Sequence, residues 1–201
     1  MQGACLGDAN AMFSVGYSYS VGRGIRRNSQ VAVLWYKRAA ALGHSTAMFN
    51  LGYRHSHGKG VARNLKASFA WFRRAADLGD ADASEYVGDA FREAEGTRRN
   101  YVLAAKYYRA AQAGGVVTSH VKLGYLLHEG LGARSDHHAA AKCYRRGALA
   151  GDPVAMFNLA LCLWDGDGVR AHPRSARQWL QRAASTGHPR ARRMLKAKPS
   201  L

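Results

Sequence analysis

Positions 47–79 of the chain read AMFNLGYRHSHGKGVARNLKASFAWFRRAADLG, and this stretch decides the fold. Its first part places apolar or small residues at 47, 48, 51 and 52, a spacing that suits one face of a helix. The glycines at 58 and 60 permit the positive φ at which a helix stops, and Asn64 can cap the helix that follows. Residues spaced three or four apart predict a second helix from Leu65 to Leu78, which Gly79 ends. The stretch therefore predicts a helix–loop–helix hairpin.

The same pattern returns every 36 residues, five times, without an insertion or a deletion. Two columns of glycine mark the register, one at Gly7, Gly43, Gly79, Gly115, Gly151 and Gly187, the other at Gly24, Gly60, Gly96, Gly132 and Gly168. A period of roughly 20 to 50 residues is typical of a unit that cannot bury its own apolar face and becomes stable by stacking on copies of itself. We therefore predict an all-α chain in which αα-hairpins form one elongated domain, with repeats at 8–43, 44–79, 80–115, 116–151 and 152–187.

The two ends of the chain depart from this pattern. Residues 1–7 match the tail of a second helix whose own repeat is missing, so we interpret them as the end of a truncated preceding repeat. Residues 188–201 predict a basic capping helix and tail that begins at Pro189. Its apolar side chains are expected to dock on the last repeat and its cations to face water.

Small residues recur inside every first helix, at Gly16, Gly52, Gly88, Gly124 and Ala160. A glycine inside a helix costs about 1 kcal/mol relative to alanine, so each copy needs a compensating interaction. We expect close approach of the paired helix, with large aromatic side chains filling the space beside the small residues. The aromatic residues predicted for this role are Trp35, Trp71, Tyr107 and Trp179.

These residues closely resemble the Sel1-like repeat, through AMFNLG at 47–52, GKGV at 58–61 and WFRRAADLG at 71–79. Independent matches are AMFNL at 155–159 with GDGV at 166–169, and WYKRAA at 35–40, so the resemblance covers nearly all 201 residues. It implies a right-handed superhelical solenoid related to tetratricopeptide arrays, whose members are mostly adaptors that bind partners along the concave first-helix face or at the loop edges. The third repeat departs most, because Ala94 replaces the first loop glycine and Thr97 the following aliphatic residue, which predicts a looser or differently shaped loop.

Composition restricts the class of protein. Hydrophobic residues make up 47% of the chain and the mean hydropathy is −0.33, so a continuous core can form, and no apolar run reaches the length of a membrane span. The three cysteines predict free thiols and an intracellular reducing compartment, either the cytoplasm or an organellar matrix.

A net charge of +17 exceeds what packing requires. Folded on the 36-residue period, the cations form one set of columns on the second helices, which we interpret mainly as a solvated outer face, and another set along the hairpin loops. The loop set, together with the acid-free C-terminal tail, is the predicted polyanion-binding surface. Its members are Arg26, Arg27, Arg63, Arg98, Arg99, Arg134, Arg170, Arg190, Arg192 and Arg193.

A protein partner would instead meet side chains that project from the first helices. Tyrosine and arginine are favoured anchors at interfaces, and asparagine offers paired hydrogen-bonding groups. The predicted partner-binding residues are Tyr17, Asn50, Tyr53, Arg54, Lys122, Tyr125 and Asn158.

Nothing in the sequence indicates catalysis, a cofactor or a metal. The nine histidines include His55, His57, His137 and His138, but no HExxH or paired-cysteine spacing accompanies them, so we predict solvated histidines. The first hypothesis is a non-enzymatic protein–protein interaction scaffold or adaptor within a larger complex. The second is a basic accessory subunit of a ribonucleoprotein, such as an organellar ribosome, that contacts RNA phosphates along its loop edge.

Overall fold

The computed structural model describes residues 7–197, and every regular element in that range is a helix. In chain order the helices are α1 (Ala9–Val21), α2 (Ser29–Ala41), α3 (Ser45–His57), α4 (Leu65–Asp77), α5 (Ala81–Glu93), α6 (Tyr101–Ala113), α7 (Thr118–His128), α8 (His137–Leu149), α9 (Pro153–Asp165), α10 (Pro173–Ser185) and α11 (Pro189–Ala197). Odd-numbered helices up to α9 are the first helices of the hairpins, and even-numbered ones are the second helices. The predicted all-α architecture of hairpins is confirmed.

Two compact units make up the chain, the first ending at Gly114 and the second beginning at Gly115. The first unit contains three hairpins, α1 to α6. The second contains two hairpins, α7 to α10, and the short helix α11. In α11, Ala191 is buried, and Met194 and Leu195 pack against the core of the second unit. The predicted truncated repeat before Gly7 and the end of the C-terminal tail lie outside the described residues.

The helix boundaries follow from local sequence. Asn64 Oδ1 accepts a hydrogen bond from the Ala67 amide at 2.9 Å, so it caps α4 as expected. The equivalent residues Asn28, Asn100 and Asp136 cap α2, α6 and α8 in the same way. Gly58 ends α3 in the left-handed conformation, with a φ of 67°. Among the described residues, no helix is long and apolar enough to cross a bilayer.

The residues that pack against the small residues of the first helices are not the predicted ones. Tyr36, Phe72 and Tyr108, each one position after a predicted residue, are buried against Gly16, Gly52 and Gly88. Tyr144, which follows Cys143, is buried against Gly124. A Cβ atom added at Gly52 would lie only 2.7 Å from Cδ1 of Phe72, which explains why glycine is present despite its helix-propensity cost. The tryptophans are only partly buried. The prediction for Trp35, Trp71, Tyr107 and Trp179 was therefore wrong by one residue.

The loop of the third repeat has the same shape as the others, contrary to expectation. Ala94 adopts a φ of 63° and a ψ of 33°, close to the values of Gly58, and its N–H donates to the Ala90 carbonyl. It is the only non-glycine residue with positive φ in the described part of the chain. The loop geometry is thus imposed by packing and tolerates an unfavourable residue.

Candidate functional site

Each unit has its own part of the first-helix face, defined here by Tyr17, Asn50 and Tyr53 in the first unit and by Lys122, Tyr125 and Asn158 in the second. Tyr17 and Tyr125 are 46% and 44% exposed, although tyrosine rings carry a large apolar surface. Asn50, Tyr53, Lys122 and Asn158 are half-buried. Lys59 donates from Nζ to the Tyr53 hydroxyl at 3.1 Å and lies 4.8 Å from its ring centroid, so this ring is held in place.

Arg54 was predicted to belong to this face, but it is buried with 6% exposure. Its Nη1 donates to the Lys59 carbonyl at 3.1 Å, its Nη2 donates to Ser20 Oγ at 2.5 Å, and its guanidinium lies 5.2 Å from the Tyr36 ring centroid. A buried cation must be hydrogen-bonded, and these contacts satisfy that need inside the protein. The prediction of a partner-binding role for Arg54 is therefore wrong.

The ten arginines of the predicted polyanion-binding surface are all exposed. Their internal contacts are few. Arg63 Nε donates to the Ser56 carbonyl at 3.1 Å, and Arg192 Nε donates to the Ala184 carbonyl at 3.0 Å. The guanidinium groups of Arg99 and Arg190 lie 6.0 and 5.3 Å from the ring centroids of Tyr101 and Phe157. Within residues 7–197 none of the ten forms an ion pair. Their charges therefore face solvent without neutralisation by an acidic neighbour.

Successive loops of the first unit lie against the preceding repeat. A Cβ atom at Gly60 would be 2.3 Å from the Ser29 carbonyl oxygen, and one at Gly96 would be 2.1 Å from the Leu65 carbonyl oxygen. Each hairpin loop thus packs on the start of the second helix one repeat earlier.

The cations of the second helices have a different setting. Arg38, Arg74 and Arg182 lie 4.7, 4.8 and 4.8 Å from the ring centroids of Trp35, Trp71 and Trp179. The guanidinium groups therefore cover the exposed indole faces through cation–π contact, which stabilises the surface of the repeat. Cation–π contact thus accounts for these three arginines without a ligand.

Charge also separates by helix type. The second helices α2 to α10 contain thirteen Lys or Arg and one acidic residue, whereas the first helices α1 to α9 contain three Lys or Arg and five acidic residues. Four of these acids lie in α5, where Asp89 Oδ1 accepts a hydrogen bond from the Tyr108 hydroxyl at 2.8 Å. Burial, followed by the charge of Asp89, raises the pKa of Tyr108. The first-helix face is thus the less basic side of each hairpin.

Three titratable side chains meet in the second unit without having been predicted. Asp167 Oδ2 lies 2.8 Å from His128 Nε2 and Asp167 Oδ1 lies 2.6 Å from His137 Nδ1. Burial alone would raise the pKa of Asp167, but the hydrogen bonds from the two histidines outweigh it and lower the value. The hydrogen bond to Glu129 raises the pKa of His128 against the opposing effect of burial. Because 30 and 39 residues separate the histidines from Asp167, only knowledge of loop stacking could have indicated the cluster.

The described cysteines do not resemble nucleophiles. Cys143 is half-buried, and Cys162 is a buried free thiol. Burial raises the pKa of Cys162 to about 11, so its thiol stays protonated at neutral pH.

The Sel1 repeat family matches the chain at residues 9–44, 45–80, 81–115, 117–152 and 153–188, each segment beginning one residue after the predicted boundary. None of the curated proteins matches the chain significantly.

Solved structures share the fold. The protective antigen c5321 of uropathogenic Escherichia coli, which displays an SLR fold, is 33% identical with a TM-score of 0.93, and the alignment covers 97% of this chain but only 42% of the antigen. A Sel1 repeat protein from Oxalobacter formigenes is 31% identical with a TM-score of 0.87, over 95% of this chain and 76% of that protein. Cysteine-rich protein B of Helicobacter pylori, at 18% identity and a TM-score of 0.54, aligns over 66% of this chain and 96% of its own and shares the fold alone.

Sel1 repeats are a non-catalytic scaffold fold, and the proteins that contain them typically mediate protein–protein interaction. Five matched segments cover the chain from residue 9 to residue 188, and the similar structures consist of the same hairpins. The chain belongs to the Sel1 repeat family.

Proposed function

We propose that this protein is a non-enzymatic scaffold that binds a protein partner through its first-helix face as part of a larger complex. The observation that carries the proposal is the exposure of Tyr17 in the first unit and of Tyr125 in the second, at 46% and 44%, each among half-buried polar residues of the first helices. Tyrosines combine apolar area with a hydrogen-bonding group and are enriched where interfaces have their strongest contacts. Tyr17 and Tyr125 occupy the same position of their repeats, three repeats apart.

The distribution of charge also favours the first-helix face as the binding surface. The first helix α5 contains four acids and one cation, Arg92, which pairs with two of them, on a protein whose net charge is +17. The acids are Asp82, Glu85, Asp89 and Glu93. A partner segment with basic residues would be attracted there and repelled by the second helices. Such complementarity selects the face and orientation of a partner more than it adds affinity.

The experiment is recovery of the tagged protein from its native cells after chemical cross-linking, with partners identified by mass spectrometry. Tyr17→Ala and Tyr125→Ala are expected to lower partner recovery at least about tenfold, since a tyrosine anchor contributes 2 kcal/mol or more. The matched control is Val102→Ala, which truncates a residue of 60% exposure on a second helix. Equal recovery with all three variants would show that the first-helix face does not bind the partner.

A second candidate function is contact with RNA phosphates in a ribonucleoprotein. It is favoured by the exposure of all ten predicted arginines and by the lack of ion pairs to them among the described residues. Such binding would read charge and shape, and its affinity would fall steeply with salt.

The test replaces Arg98, Arg99, Arg134 and Arg170 with glutamate and measures binding to a short generic RNA at several salt concentrations. The control reverses four exposed second-helix cations, Lys66, Lys106, Arg109 and Arg145, and so changes the net charge equally. Loss of binding only in the first variant would support a loop-edge site. Equal loss in both variants would mean that RNA binding depends on net charge alone. Recovery from cells of protein partners that resist nuclease and contain no RNA would instead favour the scaffold function.

We also propose an intracellular reducing compartment, either cytoplasm or organellar matrix. The buried free thiol of Cys162 supports it, because secreted proteins usually pair their cysteines. Fractionation of the native cells with an antibody to the chain tests this proposal, and recovery in a secreted or oxidising fraction would contradict it.

A further inference from the structure

The joint between the first two repeats is closed by a buried cation. Arg54 donates to the Lys59 carbonyl in the second hairpin loop and to Ser20 Oγ near the end of α1. Its Nη1 also lies 3.5 Å from the carbonyl oxygen of Ser29, the first residue of α2. One guanidinium thus connects three segments: the end of a first helix, the start of a second helix, and the loop of the next repeat.

The equivalent positions in the second unit carry different side chains, of types that can bind a metal ion. Three repeats, or 108 residues, after Ser20, Ser29, Lys59 and Arg54 stand His128, His137, Asp167 and Cys162 respectively. The backbone contact is retained, because a Cβ atom at Gly168 would be 2.1 Å from the His137 carbonyl oxygen. Cys162, being neutral and buried, cannot supply the positive charge that Arg54 supplies in the first unit.

At the joint between the fourth and fifth repeats, three of these side chains lie close together. One ligand atom from each of His128, His137 and Asp167 lies within 4.8 Å of the others. The two imidazole rings are 4.7 Å apart between centroids. All three side chains are between one third and about two fifths exposed, so they can rotate and an ion can reach them from solvent.

The surroundings of His128 match those of a metal ligand. Its Nε2 points to Asp167, and its Nδ1 lies 2.9 Å from Glu129 Oε1. A histidine that binds a metal through one nitrogen usually donates the other N–H to a carboxylate, which fixes the ring and its tautomer. Glu129 is placed for that role.

We propose that His128, His137 and Asp167 bind a divalent transition-metal ion, Zn²⁺ by ligand chemistry, at the joint of the last two repeats. Two imidazoles and a carboxylate suit Zn²⁺, with bonds of about 2.0 to 2.2 Å and a fourth position taken by water. Small rotations of the three side chains bring the ligand atoms to that distance. The ion takes the place of the Arg54 guanidinium and ties His128 at the end of α7 and His137 at the start of α8 to the loop of the fifth repeat.

The test uses the full chain without a polyhistidine tag. Zn²⁺ binding is measured by calorimetry, and Co²⁺ is used as a spectroscopic probe of coordination. We expect one ion per chain, visible absorption typical of four-coordinate Co²⁺, and no near-ultraviolet thiolate band. Added Zn²⁺ should also raise the unfolding temperature, because the ion binds the folded state.

Variants separate the site from other histidines and acids. Asp167→Asn, which is nearly isosteric, and His128→Gln should each weaken Zn²⁺ binding at least tenfold, and Glu129→Gln should weaken it about tenfold. The matched control Asp165→Asn removes the same charge two residues away and should bind like the parent protein.

The metal-free unfolding temperature of each variant shows whether it folds. Zn²⁺ affinity that is unchanged in Asp167→Asn would overturn the proposal, as would a thiolate–Co²⁺ band, which would place the ion on a cysteine. Absence of binding by the parent protein would reduce the cluster to a hydrogen-bonded pair of histidines on one aspartate.

Discussion

Replacing Ala94 with glycine should stabilise the protein, although it removes a side-chain atom and adds flexibility. Ala94 is held at a φ of 63° and a ψ of 33°. An L-residue in this left-handed conformation is strained by about 1 to 2 kcal/mol, and glycine is not. Glycine lowers stability through the greater entropy of the unfolded chain by about 0.4 to 1 kcal/mol. The net expectation is a gain of about 1 kcal/mol in the free energy of unfolding.

The reciprocal substitution is available one repeat earlier. Gly58 has a φ of 67° and a ψ of 30°, and an added Cβ would meet Arg63 Cβ at 3.5 Å, an ordinary contact. Gly58→Ala should therefore lower stability by about 1 kcal/mol through backbone strain alone. Both variants are compared with the parent chain by urea unfolding followed by circular dichroism, with the denaturant slope required to stay unchanged.

The two variants together test whether the backbone of Ala94 is strained. Opposite shifts of similar size support conformational strain at Ala94. A neutral or destabilising Ala94→Gly alongside a destabilising Gly58→Ala would show that the third loop depends on the alanine side chain itself. In that case its shape would not be set by the packing of the repeats.

Three further outcomes are expected. Gly52→Ala should lower the free energy of unfolding by about 1 to 2 kcal/mol, because its Cβ would lie 2.7 Å from the Phe72 ring. Adding Phe72→Leu should restore most of this stability, since the fifth repeat has the buried residues Ala160 and Leu180 at the same two positions. Urea unfolding of both single variants and of the double variant measures the coupling. Arg54→Met should lower stability by about 2 to 3 kcal/mol, since it removes a charged group that donates to the Ser20 hydroxyl and the Lys59 carbonyl in a partly buried site. The exposed Arg73→Met should change the urea midpoint little. Burial, then the charge of Arg190, lowers the pKa of His188. The folded state therefore binds this proton less readily than the unfolded chain, and stability should fall as the pH drops below about 6.5. In His188→Asn the decrease in unfolding temperature from pH 7 to pH 5 should be smaller than in the parent protein.

Local features of the fold were predictable because they depend on neighbouring residues. The helix caps, the glycine stops and the hairpin order follow from motifs such as Asn64 with its 36-residue equivalents. The assignment of the buried aromatic column failed, because Trp71 and Phe72 are adjacent and both large. The signal that decides between them lay in the repeats: glycine faces an aromatic at Gly52 and Phe72, whereas Ala160 occurs together with Leu180.

Longer-range features could not be derived in this way. The position of Arg54 on a first helix indicated an exposed cation, and only the stacking of the next loop shows that it is buried. The cluster at Asp167 has the same origin, since it joins parts of two repeats. Both cases arise at joints between repeats, where a residue's environment is set by a neighbour about one period away.

The charge of the protein has to be judged by position and not by amount. A net charge of +17 attracts any polyanion, so weak, salt-sensitive RNA binding alone would not identify a site. Three of the second-helix arginines already cover tryptophans, which accounts for them without a ligand. Within residues 7–197 none of the loop-edge arginines covers a tryptophan, and Arg99 lies 6.0 Å from the Tyr101 ring centroid. The exposed tyrosines of the first-helix face lie on the less basic side. A comparison between variants of equal net charge therefore carries more weight than any single affinity, because it alone separates attraction by the whole surface from recognition by one edge.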